Sequence, residues 1–233
     1  MKKLLAAGMD RIYQIGPCFR EGERGSRHNP EFTMLEWYRR EANYLDIKRD
    51  LEELLEGLVV VDSCSGRAER KLFTTTTSHY NLLHVRDAYR EYAGWDPWIG
   101  DWDQDRFDFD MATKIEPAIK EIGGGVFLMD YPPQAASLAK LRGDVAERWE
   151  FYFNGLELAN CFTELCDRAE QLRRFRAAKD ARKSLKEADY PLDYEFIESL
   201  PQIESAAGVA LGVDRLVMIL TKTKEISAVR API

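Results

Sequence analysis

The chain has 233 residues, of which 45% are hydrophobic, 11% aromatic and 31% charged, a balance typical of a folded globular protein. Because single hydrophobic cores stop growing near ~250–300 residues, this length favours one domain, or two small ones at most. The 33 Lys and Arg against 40 Asp and Glu leave a net charge of -7, which excludes a strongly basic nucleic-acid binder but not a local basic pocket.

No apolar run reaches the ~20 residues of a membrane-spanning helix, and Asp10 and Arg11 interrupt the apolar start before it resembles a signal peptide. We therefore expect a cytoplasmic protein without a membrane partner. The cysteines and histidines form neither a CxxC pair nor an HExxH motif, which predicts reduced thiols and no structural zinc site. They are Cys18, Cys64, Cys161, Cys166, His28, His79 and His84.

The first predicted elements are a β-hairpin and a helix. Residues 12–15 and 31–38 are β-prone, and the polar stretch 20–30 connects them. Four leucines then recur at helical spacing within 46–61, which predicts an amphipathic helix packed on the sheet.

From residue 62 to 125 the patterns weaken, which favours an inserted helical segment, and two strands are predicted after it, at 126–131 and 149–158. Glu150 and Glu157 are an odd number of residues apart, so an unbroken strand would aim them at opposite faces. A turn at 154–155 would instead place them on adjacent antiparallel strands and let them converge.

The C-terminal part predicts two helices. Asp167 and Glu170 resemble a capping box before a basic helix that reaches about Ala188. The glycine-rich stretch 208–215 reads as a strand that feeds a helix, with Arg215 at the junction. With no internal repeat and no linker, residues 1–233 are expected to form a single α+β domain built on an antiparallel sheet.

Three groups of residues indicate chemistry. Arg20, with His28 and Phe32 across a loop, can hold a phosphate and stack a base, although solvated hairpin charges are the simpler interpretation. Carboxylates among aromatic residues in 150–164 are costly to bury unless they bind a metal or a cation, the alternative being surface glutamates. Arg215 follows a glycine-rich strand where a ligand could approach the backbone, or it could simply be solvated.

Taken in order, these motifs resemble the catalytic core of class II lysyl-tRNA synthetases, and more closely the stand-alone elongation factor P lysine ligases. The resemblance covers nearly the whole chain and is weakest from 62 to 125. It implies a class II aminoacyl-tRNA synthetase-like antiparallel sheet flanked by helices. The matching motifs are Arg20, His28-Asn29-Pro30-Glu31-Phe32-Thr33-Met34-Leu35-Glu36, Glu150, Gly155-x-Glu157-x-x-Asn160-x-x-x-Glu164-Leu165 and Gly212-x-Asp214-Arg215.

The resemblance implies ATP and Mg²⁺ as cofactors. Arg20 would hold the α-phosphate, His28 would lie near the outer phosphates and Phe32 would stack under adenine. Arg215 would cover the other face of adenine and touch the γ-phosphate, which makes Arg20 and Arg215 the catalytic pair. Further implied contacts to ATP come from Glu23, Asn29, Glu157, Leu158 and Gly212, and Mg²⁺ would be bound by Glu150 and Glu157.

The implied substrate is lysine or β-lysine. Its side-chain ammonium would meet Glu36, Tyr38 and Glu164, and Asn160 would lie near its carboxylate. Distal carboxylates are what this substrate needs, because a charge-assisted pair distinguishes lysine from apolar analogues. The chain departs from the synthetases at Cys161 and Ala210, which stand where the synthetases have glycines. The added methyl group of Ala210 lies beside the amino-acid pocket and agrees with a substrate whose amino group is shifted, as in β-lysine.

A third departure is Gly22, which stands where the synthetase pattern has a glutamate, and Glu23 is the candidate to replace it. The chain also starts after the family's helix and strand that usually make the homodimer interface. We therefore expect it to lack that segment, as well as any anticodon-binding domain, which leaves its dimerisation open.

The resemblance predicts adenylation of the amino acid and its transfer to a lysine of elongation factor P. Adenylation requires positive charge and positioning more than a base, because a carboxylate displaces pyrophosphate in line. Transfer to tRNA is the first alternative, and the net acidity and the missing anticodon-binding domain disfavour it. A catalytically silent, amino-acid-sensing paralogue is the second.

Overall fold

A computed structural model describes residues 1–58, 60–61, 68–70, 80–186 and 188–229 of the chain. The main feature of this part is a sheet of eight strands, beside a separate short ladder of two. Predictions for Cys64 and His79 lie outside the described residues. The strands are β1 Arg11–Phe19, β2 Glu31–Arg40, β3 Val60–Val61, β4 Ala68–Arg70, β5 Asn81–His84, β6 Gly125–Tyr131, β7 Leu141–Arg142, β8 Val145–Phe153, β9 Leu156–Thr163 and β10 Ala206–Gly212.

The helices cover the sheet. Of the described residues, no helix is both long and apolar enough to cross a membrane. π-Helical turns continue α3 at Tyr89–Ala93 and join α4 to α5 at Met111–Ile115. The α-helices are α1 Lys2–Ala6, α2 Tyr44–Gly57, α3 Val85–Ala88, α4 Gln104–Asp110, α5 Glu116–Ile122, α6 Arg168–Ser184, α7 Tyr194–Ser199 and α8 Val213–Thr221.

The sheet order is β1-β2-β10-β9-β8-β6-β5, with β7 paired to β8, while β3 and β4 form the separate ladder. The predicted hairpin is confirmed as β1 and β2. The prediction of a helical insert over 62–125 is wrong at 68–70, where β4 pairs with β3, and at 81–84, because β5 pairs parallel to β6 and makes the sheet mixed. The strand β5 has only four residues and a helix follows it at once, so it shows no clear alternation of apolar and polar residues. It becomes a strand only because it pairs with β6, a distant segment of the chain.

One face of the sheet packs on α2. The helix begins two residues before the predicted start, because Asn43 caps it in a reciprocal capping box with Asp46, and it ends at Gly57 rather than at residue 61. Its leucines lie against odd-numbered side chains of the central strands, such as Phe151 and Val209. The opposite, even-numbered face is therefore available for a site.

Two further helical regions flank this arrangement. The turns between 85 and 122 pack on the β6 and β8 end of the sheet in a second core around Tyr89 and Phe107. Asp167 caps α6 as predicted, accepting from the Glu170 amide at 2.8 Å. The capping box is not reciprocal, because the Glu170 side chain bonds Arg173 and Arg174 instead, and the helix ends at Ser184 rather than near Ala188.

Candidate active site

A row of four residues, three of them polar, runs straight across four neighbouring strands. Glu36 lies opposite Ala210, Ala210 opposite Asn160, and Asn160 opposite Glu150. Directly opposed residues of antiparallel strands project from the same face. The pairing thereby brings four residues that are far apart in the chain together on the even-numbered face of the sheet.

A second row lies beside the first. Tyr38, Gly208 and Phe162 are directly opposed on β2, β10 and β9. The ring of Tyr38 occupies the space in which a side chain at position 208 would lie. Gly208 was not singled out from the sequence by itself, but a glycine inside an apolar strand is a recognised signal of close approach.

Apart from Glu150, the residues of these rows line an open cavity of about 330 Å³. Of the residues predicted from the sequence, Glu150 alone is not among its described lining residues, and it lines a second cavity of about 390 Å³ that shares Glu157 with the first. Cys161, by contrast, is buried in the core on the other face. The predicted residues that line the first cavity are Arg20, Glu23, His28, Asn29, Phe32, Glu36, Tyr38, Glu157, Leu158, Asn160, Glu164, Ala210, Gly212 and Arg215.

The hairpin connection supplies the rim at one end. The Arg20 guanidinium lies 5.7 Å from the centroid of the Phe32 ring and donates to Glu23 at 3.1 Å. Asn29 donates to the Glu31 carbonyl at 2.7 Å, which fixes the end of the connection. Gly22 has a φ of 80°, a conformation that favours glycine and brings Glu23 back towards Arg20.

Arg215 connects three elements at this end. Its guanidinium donates to the Glu157 carbonyl at 2.8 Å, to Oε2 of Glu157 at 3.3 Å and to Nε2 of His28 at 2.8 Å. Loss of hydration, and then the nearby guanidinium, lower the pKa of His28. The imidazole is therefore neutral at pH 7, and its Nε2 can accept the hydrogen bond.

Asp214 is a functional candidate that belongs to a predicted motif but to which no functional role was assigned from the sequence. It is buried, and its Oδ2 accepts from the Thr33 amide at 2.7 Å. The bond ties the first turn of α8 to β2 directly after Phe32. It therefore sets the distance between Phe32 and Arg215, the two side chains predicted to enclose adenine.

The strands β8 and β9 form the predicted hairpin, and Glu150 and Glu157 converge from it. The pairing shifts by one residue between Phe151 and Tyr152, so Leu158 is the extra residue of a bulge on β9. Without that bulge Glu157 and Asn160, three residues apart, would point to opposite faces.

Glu150 is held by a polar network. It accepts from Arg148 at 2.6 Å, from the Tyr152 hydroxyl at 2.7 Å and from the Asn160 amide at 3.2 Å. Burial and the nearby Glu150 carboxylate raise the pKa of Glu157 above its usual range. Arg148, which is partly buried, is a member of this network that the sequence did not single out.

These two carboxylates fit Mg²⁺. Carboxylate oxygens are the ligands that this ion prefers, and a divalent cation would relieve the repulsion that raises the pKa of Glu157. Among the described residues no group of three or more His, Cys, Asp or Glu side chains is arranged to hold a metal. Glu150 and Glu157 would therefore hold the ion together with phosphate oxygens and water, the usual mode for Mg²⁺.

The other end of the cavity is acidic and enclosed. Glu164 is 4% exposed, and burial raises its pKa although Lys2 opposes the shift. Burial and then Glu164 raise the pKa of Tyr38, which leaves the phenol neutral. With Glu36 on the same wall, this end offers two carboxylates and a hydroxyl to a cationic group.

Comparison with known proteins agrees with this geometry. The family model of class II tRNA synthetases (D, K and N) matches residues 1–231. The chain belongs to the class II tRNA synthetase family. The mixed sheet flanked by helices is thus the α+β fold that the motifs predicted.

Relatives within this family are named elongation factor P–(R)-β-lysine ligase. The protein from Photorhabdus laumondii is 38% identical over 240 residues, covering 99% of this chain and 74% of the relative. That from Vibrio cholerae is 39% identical over 246 residues, again covering 99% and 74%. That from Actinobacillus succinogenes is 38% identical over 238 residues, covering 99% and 73%.

Proposed function

We propose that the chain is an ATP-dependent ligase that adenylates lysine or β-lysine and transfers it to a lysine side chain of elongation factor P. The observation that carries the proposal is one cavity with two unlike ends. Guanidinium, imidazole and aromatic groups line one end, and two carboxylates and a phenol line the other. An amino acid with a distal ammonium and a nucleoside triphosphate are complementary to these ends. The names of the relatives support the amino acid, and the family supports the nucleotide.

In the first half-reaction the amino-acid carboxylate attacks the α-phosphorus of ATP and pyrophosphate leaves. Arg20 and Arg215 would stabilise the charge that develops on the phosphate oxygens, since both present planar guanidinium forks to the cavity. Neutral His28 would lie beside the outer phosphates and orient Arg215 through their shared hydrogen bond. Bound Mg²⁺ would supply further neutralisation of phosphate charge.

The amino acid would be positioned by both rows of the sheet. Glu36, Glu164 and Tyr38 would receive the side-chain ammonium. The buried Oδ1 of Asn160 makes no hydrogen bond within the described protein, which suits it to accept one from a substrate amino group. Ala210, between Glu36 and Asn160, would limit how deep the substrate backbone sits.

In the second half-reaction the neutral acceptor amine attacks the carbonyl carbon of the aminoacyl adenylate. An amide forms, AMP leaves with the electron pair of the broken C–O bond, and the amine loses a proton. We place this reaction in the cytoplasm and in one catalytic domain over residues 1–233. A homodimer is proposed as well, supported by the exposed apolar side chains Tyr13, Ile15 and Phe19 on edge strand β1.

The test is amino-acid-dependent exchange of pyrophosphate into ATP with lysine and with (R)-β-lysine, followed by transfer of labelled amino acid to elongation factor P or to tRNA. Exchange with either amino acid and label on elongation factor P are expected. Label on tRNA alone would favour a tRNA synthetase instead, which the family match keeps as the second candidate. Absence of exchange would indicate a silent paralogue.

A further inference from the structure

Lys2 makes an ion pair with a residue of the proposed ammonium subsite. Its Nζ contacts Oε2 of Glu164, and the two side chains are 19% and 5% exposed. The pair joins α1 to the end of β9, more than 160 positions away in the chain. Because the pair is shielded from water, its Coulomb attraction is less screened than that of an ordinary surface ion pair.

The position of Lys2 is determined by the packing of α1. Leu5 and Ala6 pack with Ile203 and Ala206, next to Tyr38. On the outer side, Lys3 pairs with Asp193 and Glu195, each at 2.9 Å, and so fastens α1 to α7.

Lys2 contacts Glu164 but is not among the described residues that line the ligand cavity. Oε2, the oxygen that Lys2 contacts, is sealed from solvent, whereas the Glu164 side chain as a whole lines the cavity. The carboxylate therefore stands between Lys2 on one side and the ligand space on the other. Lys2 is a counter-ion in the wall and leaves the ligand space free.

The charges around Glu164 can be counted. Tyr38 on β2 faces it as a neutral phenol, and burial raises the pKa of both Cys161 and Cys166, so these thiols are neutral as well. Glu36 adds a second carboxylate. An adjoining cavity that Glu164 also lines carries the charged side chains of Lys140, Asp167 and Glu204.

We propose that Lys2 is a positioning residue for the amino-acid substrate: its ammonium keeps Glu164 a carboxylate and leaves one negative charge in the subsite unmatched. Two carboxylates with one internal counter-ion fit a substrate that carries one cationic group on its side chain. The inference rests on the proposed function, since it assigns the ammonium of that substrate to this subsite.

Removal of Lys2 has a definite consequence. Without this counter-ion the buried Glu164 carboxyl retains a proton more readily, because burial already raises its pKa and Lys2 is the group that opposes the shift. The substrate ammonium then has to displace that proton, so binding weakens at low pH and recovers as the pH rises. A residue that only stabilises the fold would not produce this dependence.

The experiment compares the full chain with Lys2→Met, Lys2→Arg and Lys3→Met. Lys3→Met is a matched control, because it removes the neighbouring ammonium of α1 without touching the subsite. We expect Lys2→Met to raise the KM for lysine about tenfold at pH 6.5, with the difference narrowing towards pH 9, and to leave the KM for ATP within about twofold. Lys2→Arg and Lys3→Met should remain close to the parent.

Calorimetric titration with lysine in buffers of different ionisation enthalpy counts the protons directly. The Lys2→Met variant should release close to one proton on binding lysine at pH 6.5, and the parent close to none. Three results for Lys2→Met would overturn the inference: a lower KM for lysine, a raised KM for lysine that does not change with pH, or no proton release on binding. If the parent chain still catalyses pyrophosphate exchange in these cases, the proposed function stands. A parent chain that binds neither lysine nor β-lysine would overturn both.

Discussion

The phenol ring of Tyr38 lies so close to the backbone of Gly208 that a Cβ added at position 208 would come within 2.1 Å of ring atom Cδ1. No real Cβ makes such a contact, so one of the two residues would have to move. Because Tyr38 and Gly208 are directly opposed in the sheet, the ring is the part that can give way. The glycine thus determines where the hydroxyl of Tyr38 lies.

Gly208→Ala should displace Tyr38 and impair the ammonium subsite. We expect the KM for lysine in pyrophosphate exchange to rise about tenfold or more, with little change in the KM for ATP, because misplacement by an ångström is enough to lose such a contact. Gly57→Ala is the matched control, since a Cβ at position 57 meets no atom within 4 Å. Equal KM values for lysine in both variants would contradict the role given to Gly208.

Glu36→Gln and Glu164→Gln should each weaken amino-acid binding far more than ATP binding. A hydrogen bond to a charged group is worth about 1.5–3 kcal/mol, so we expect the KM for lysine to rise about 10- to 100-fold. Glu53→Gln, at an exposed position of α2 on the other face, serves as the control. Lysine-dependent exchange unchanged by Glu164→Gln would show that the ammonium pocket is assigned wrongly.

Asp214→Ala should act on the fold and on ATP binding together. Loss of the buried acceptor leaves the Thr33 amide without its partner at 2.7 Å, which costs about 1–3 kcal/mol of the free energy of unfolding. The KM for ATP should increase, since Phe32 and Arg215 are no longer held at a set distance. Urea unfolding and exchange kinetics measure the two effects. Asp214→Asn retains an acceptor oxygen and should change both the free energy of unfolding and the KM for ATP by less. If Asp214→Ala changed neither quantity, the role given to Asp214 would be refuted.

Glu170 should make stability depend on pH in the acid range. Hydrogen bonds from Arg173 and Arg174 lower the pKa of Glu170 to about 2. A lowered pKa in the folded state contributes stability above the unfolded pKa near ~4.3, and this contribution is lost as the pH falls towards 2.

Glu170→Gln should therefore reduce the free energy of unfolding by about 1–2 kcal/mol at pH 7, allowing for the partial exposure of the pair, and by clearly less at pH 3. Urea titrations at both pH values provide the measurement. Glu198→Gln breaks an ion pair to Arg168 in which both side chains are more than half exposed, so it should change stability by less than about 0.5 kcal/mol. A difference for Glu170→Gln that stays constant with pH would contradict the assignment.

Much of the candidate site could be predicted because its residues belong to short sequence motifs. Arg20 and His28 lie on the connection of one hairpin and Phe32 lies at the start of its second strand, while Glu157 and Asn160 lie on β9 and Glu164 directly follows it. Together these motifs indicated one family, the class II tRNA synthetases, and the chain does belong to it. The specific role of each residue stays a prediction until the variants are measured.

Local patterns also predicted the elements that depend on neighbours in the chain. The β1–β2 and β8–β9 hairpins, the apolar stripe of α2 and the cap at Asp167 all arise from contacts between residues close in sequence. For that reason turns, amphipathic helices and helix caps can be predicted from the amino-acid sequence.

Only the tertiary structure decided the relationships between distant segments. The parallel pairing of β5, the bulge at Leu158, the ring of Tyr38 over Gly208, the bond from Thr33 to Asp214 and the ion pair of Lys2 with Glu164 each depend on register or packing across the fold. A strand's register is set by the partner it meets, and a one-residue shift reverses every side chain. The sequence by itself thus determined the family and predicted which groups perform the chemistry, and the packing of the sheet and α1 determined how those groups face one another.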